Sequence, residues 1–176
     1  VARPTQLPSP APKVPRLRRA YYECRYGQLH IHNAIPPGGG FDELTTVVCL
    51  HGEGESGRVF VPLLAALGEL RSVYALDLPG SGESDPAAGV TGAEAAVHAV
   101  FDFVDSMRIR SFDLVARGTG TAAALAILEQ RGPSVRRAVL LWPPDTVRSS
   151  GKVTVVPADE AASTGLPRQV VTLLAP

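Results

Sequence analysis

Apolar residues along this chain follow two rhythms. TVVCLH (46–51), VYALD (73–77), FDLVA (112–116) and AVLLW (138–142) are short apolar runs of the length of buried strands. Between them, apolar positions recur at helical spacing: Phe60, Leu63, Leu64, Leu67 and Leu70 in one segment, and Val97, Val100, Phe101, Val104 and Met107 in another. A third helix is expected from Thr119 to about Arg131. Thr91 followed by Glu94 has the spacing of a capping box, in which hydroxyl and carboxylate each satisfy an unpaired backbone donor at a helix start.

Ahead of this alternation, YYECRY and QLHIHN flank Gly27 and predict an antiparallel hairpin. PPGGG (36–40) breaks the chain after it. At the other end the signals thin out through PPD, RSSGK and TVV, and QVVTLLAP reads as one last strand. Strands alternating with helices demand parallel pairing, so the fold class is α/β: a mostly parallel sheet with helices on both faces and an antiparallel hairpin on its N-terminal side.

Composition adds three limits. Residues 1–19 are rich in proline and carry five basic residues with no acid, which predicts an extended arm outside a single domain over 20–176. Seventeen basic residues balance seventeen acidic ones, so no broad nucleic-acid footprint is expected. No apolar run has the length of a membrane span, and no membrane partner is expected. Cys24 and Cys49 show no CxxC spacing and read as buried thiols of a reducing compartment, which points to a cytoplasmic protein without metal or cofactor.

In a parallel sheet, ligands collect at the carboxyl ends of the strands. Three glycine-bearing loops fall there: HGEGESG (51–57), DLPGSGESD (77–85) and ARGTG (116–120). Their order and intervals resemble the α/β-hydrolase superfamily over about residues 21–145. HG is similar to that family's oxyanion loop, DLPGSGES to its D-x-P-G-x-G-x-S turn, and ARGTG falls where the family carries G-x-S-x-G. Ala116 and Gly120 keep the small positions of the nucleophile elbow, but Gly118 stands at its apex and has no side chain to attack a carbonyl. A branch of the family with a Y-H-T-G turn resembles this one.

The resemblance implies an oxyanion or ligand site built from His51, Gly52, Glu53, Arg117, Gly118 and Thr119, with the Glu53 and Thr119 N–H groups as donors. Arg117 would add charge if it pointed into the pocket, and Glu53 and Glu55 could pair with Arg117 or Arg58. No catalytic residue is assigned. His30, His32, His51 and His98 all precede the elbow, whereas the family's histidine follows it. The lid and the acid- and histidine-bearing strands have no room before Pro176, so the chain reads as a shortened member or the front of a longer protein. QVVTLLAP could be the acid-bearing strand cut before its acid, and Asp159 and Glu160 read as surface loop.

Three functions fit this pattern: a catalytically impaired protein that binds a small acyl- or ester-like ligand, an interaction scaffold, or an esterase-like hydrolase with an unorthodox nucleophile. A protein partner or second copy would use sheet surface left exposed by the missing parts. The pattern Gly118-x-Gly120-x-x-Ala123 also matches a dinucleotide fingerprint, with Asp145 near the place of its acidic residue. That reading explains neither HGEGES nor DLPGSGES.

Overall fold

The computed structural model describes residues 15–37, 44–90, 92–158 and 165–175. Residues 1–14, 38–40, Thr91, Asp159 and Glu160, which carry expectations above, lie outside them. The described residues form seven strands: β1 (Arg16–Cys24), β2 (Gly27–Ile35), β3 (Thr46–Leu50), β4 (Val73–Leu76), β5 (Phe112–Arg117), β6 (Val135–Leu141) and β7 (Val153–Val156). Four helices accompany them: α1 (Val61–Leu67), α2 (Gly92–Ser106), α3 (Gly120–Arg131) and α4 (Leu166–Leu173). The sheet order is β1-β2-β4-β3-β5-β6-β7. β1 pairs antiparallel with β2 and β2 antiparallel with β4, while every other pairing is parallel.

Strand alternation splits the apolar residues into two cores. Val48, Leu50, Leu76, Leu114 and Leu140 face α2 and α3, which contribute Val97, Val100, Phe103 and Ile127. Val47, Cys49, Val73, Val115 and Val139 face the opposite way, against Leu63, Leu64 and Leu67 of α1 and Val170 and Leu174 from the α4 segment. Helices therefore cover both faces, as the α/β pattern requires. Phe103 is fully buried, a burial that contributes about 2–3 kcal/mol. It was absent from the apolar face expected for α2, whereas Phe101 and Met107 lie only partly buried at its margin.

Three expectations are corrected. The sheet begins at Arg16, so residues 16–19 belong to β1 and not to an arm, because their backbone pairs in register with residues 32–35 of β2. Leu70 is half exposed, since α1 stops at Leu67 and the chain turns through Gly68. QVVTLL is helical: α4 opens with a proline in its first turn, and Val170 and Leu174, one turn apart, go under the sheet beside α1. No acid-bearing strand is formed there. β7, left unassigned by the sequence pattern, is a parallel strand beside β6.

Candidate functional site

The carboxyl ends of β3, β4 and β5 lie side by side, so the three glycine-bearing loops meet. A tight turn follows β5. Gly118 has φ +54°, a left-handed conformation that costs an L-residue roughly 1–2 kcal/mol. A Cβ built on Gly118 would have only the Gly52 Cα within 4 Å, at 3.8 Å, so the space above the apex is open. Two residues on, a Cβ at Gly120 would lie 2.3 Å from the His51 carbonyl oxygen. Glycine at 120 is thus required by the close approach of the α3 start to the end of β3. This contact accounts for the residue without any bound pyrophosphate, and Asp145 sits in an exposed turn after β6.

The turn is held from several directions. The Gly118 N–H donates to the Leu141 carbonyl at 2.9 Å, and the Thr121 hydroxyl donates to the Gly118 carbonyl at 2.7 Å. In the first loop, the Gly52 N–H donates to Glu55 Oε2 at 3.0 Å. The Glu55 carboxylate also pairs with Arg117 at 2.7 Å, and the Arg117 guanidinium stacks on Trp142, 4.1 Å from the ring centroid. This fixes Arg117 beside the elbow. It pairs with Glu55, as one of the expected partners, but does not line the cavity described next, because Trp142 and Glu55 together hold its planar head.

That cavity, of 530 Å³, opens beside the elbow. His51, Gly52, Glu53 and Thr119 line one side, while Gly118 is not among the lining residues. The opposite side comes from Leu78, Pro79 and Ser81 of the second loop, and α2 and α3 add Ala93, Ala96, Ala122 and Ala123. These last were not foreseen. The placement of DLPGSGES directly after β4 was a usable signal for Leu78, Pro79 and Ser81, whereas small residues on helices give none.

His51 is buried and ties the first two loops together. The Leu78 N–H donates to its Nε2 at 2.9 Å, which puts the ring proton on Nδ1, 2.7 Å from the Gly52 carbonyl. Both ring nitrogens are therefore occupied by backbone. Of the two N–H groups expected as donors, that of Glu53 donates to the Thr119 hydroxyl oxygen, Oγ1, at 2.6 Å. A ligand oxygen at that point must displace the threonine hydroxyl. Cys49, at the end of β3, is fully buried, and burial pushes its thiol far above the usual range.

A second polar centre lies under the same loops. Asp77 Oδ1 accepts the Gly57 N–H at 2.7 Å, and Oδ2 accepts the Glu83 N–H at 3.0 Å and faces His30 Nδ1 at 2.8 Å. Burial opposes ionisation of Asp77, yet the Glu83 N–H, His30 and the Gly57 N–H hold its carboxyl below the usual carboxylate range. A Cβ at Gly82 would lie 2.0 Å from Asp77 Oδ2, so the loop wraps the carboxylate only with glycine there.

No curated protein matches the sequence. Among solved structures, the epoxide hydrolase CorEH superposes with a TM-score of 0.66 at 18% identity, over 83% of this chain and 48% of its own. The naproxen esterase of Bacillus subtilis gives a TM-score of 0.65 at 23% identity, over 77% and 45%. Epoxide hydrolase VrEH1 of Vigna radiata gives a TM-score of 0.64 at 20% identity, over 76% of this chain and 42% of its own. The chain thus spans less than half the length of each. The sequence model of the alpha/beta hydrolase fold family matches residues 45–161, and this chain belongs to that family.

Proposed function

We propose that the chain binds a small acyl- or ester-like ligand in the 530 Å³ cavity and holds it without covalent chemistry. The observation that carries this reading is the empty apex: Gly118 keeps the left-handed turn of a nucleophile elbow and offers no nucleophile, with open space above it. The lining supports a small guest with an apolar and a polar end, since Leu78, Pro79 and four alanines stand beside His51, Glu53, Ser81 and Thr119. A ligand carbonyl or carboxylate would take the Glu53 N–H from Thr119 Oγ1, a direct exchange of one acceptor for another.

Covalent alternatives fit the residues less well. Cys49 is sealed in the core with a thiol that resists ionisation, and a thiol acts as a nucleophile through its thiolate. His51 has both nitrogens on backbone partners, and the Thr119 hydroxyl accepts the Glu53 N–H with no base hydrogen-bonded to it among the described residues. The test is calorimetric titration with butyrate, hexanoate and their methyl esters. Ala122 is exposed on α3 at the cavity rim, so Ala122→Trp should fill the cavity without disturbing the core. Saturable binding that Ala122→Trp removes is the expected result. Binding indifferent to that substitution, or none across the panel, contradicts the proposal.

A further inference from the structure

His30, His32 and Asp77 converge on one point although Asp77 is 47 residues from His30 in sequence. One ligating atom from each lies within 4.8 Å of the others. We propose that these three side chains form a binding site for a divalent transition-metal ion of the zinc class, distinct from the cavity beside the elbow.

A buried histidine–aspartate pair alone would need one histidine. His30 Nδ1 already meets Asp77 Oδ2 at 2.8 Å. His32, two residues along β2 and on the same face, places its Nε2 3.7 Å from the other carboxylate oxygen, Oδ1, too far for a hydrogen bond. The two rings stand edge to face with centroids 4.8 Å apart. Two imidazoles aimed at two oxygens of one carboxylate form a three-ligand set, and two nitrogens with one oxygen favour zinc or cobalt over magnesium or calcium.

The surroundings hold this set in place. Gly57 and Glu83 N–H groups fix the Asp77 carboxylate, and the His30 N–H donates to the Ser84 hydroxyl at 2.8 Å. Such outer bonds orient ligands around a metal. His30 and Asp77 are almost fully buried, whereas the His32 side chain is 14% exposed. Bonds of about 2.0–2.1 Å to one ion require the ligands to close up, a movement that falls to the more exposed His32 ring. His32 and Asp77 also line a cavity of 650 Å³, which leaves room for water or another ligand on the ion. Arg18, Arg19 and Arg58 border that cavity together with Glu83, which pairs with Arg19 at 3.8 Å.

The experiment is titration of the full 176-residue chain, prepared without a histidine tag, with cobalt(II), followed by visible absorption and calorimetry. One cobalt per chain should bind, with ligand-field bands, displacement by zinc and no competition from magnesium. His32→Ala should weaken cobalt binding by at least about tenfold, while His98→Ala, on α2 beside Tyr26, should not. His32→Gln, folded by circular dichroism, replaces the alanine variant if that one does not fold. Absence of ligand-field bands, or binding retained in the His32 variant, overturns the site. Neither outcome bears on ligand binding beside Gly118, which Ala122→Trp reads separately.

Discussion

At the elbow, one glycine and one threonine set the chemistry. Gly118 supplies the turn and withholds the nucleophile, while the Thr119 hydroxyl occupies the N–H of Glu53. Thr119→Val keeps the shape of the residue and removes that acceptor, so the Glu53 N–H becomes available to a ligand. Butyrate affinity should rise on the order of tenfold, the size of one hydrogen bond to a charged acceptor. Calorimetry of the variant against the parent chain measures it, and unchanged or weaker binding would show that ligand does not reach this donor. The sequence made the absent serine and the glycine spacing legible, because both are properties of single letters. It offered Glu55 as one partner of Arg117 but could not reveal the stack on Trp142, since a long side chain takes its direction from neighbours that β6 brings in.

Among the elements, the buried strands were readable as apolar runs because helices cover both faces of the sheet. QVVTLL was not, since a short apolar run fits a strand or a helix equally and packing against α1 decides between them. A charged clasp completes that packing. Asp113, fully buried at the start of β5, accepts from Arg71 at 2.9 Å and from Arg136 at 2.5 Å. Arg71 and Arg136 then donate onward to the Leu174 carbonyl at 3.0 and 2.7 Å. The end of α4 is thereby tied to the starts of β4, β5 and β6. Asp113→Ala leaves the two guanidinium groups without the carboxylate between them and should cost about 3–5 kcal/mol in chemical denaturation. Faster hydrogen exchange across 166–174 should accompany the loss. A cost below about 1 kcal/mol, the range of exposed pairs, would mean that the clasp does not hold the helix.

For the molecule as a whole, the parallel sheet brings loops distant in sequence to one edge, and the two polar centres lie on either side of the β4 loop. Leu78 and Pro79 face the cavity beside the elbow, while Asp77 joins His30 and His32 beneath it. Pairing of β2 with β4 is what sets the two histidines against Asp77, a relation that only the folded topology creates. The chain keeps the family's frame, and the proposed role for that frame is to bind a ligand without turning substrate over. The most direct measurement is hydrolysis of a short- to medium-chain p-nitrophenyl ester panel by the purified chain, with Ala122→Trp as the matched control. Both proteins should match the uncatalysed rate. Turnover above that rate in the parent chain, lost when the tryptophan fills the cavity, would contradict it.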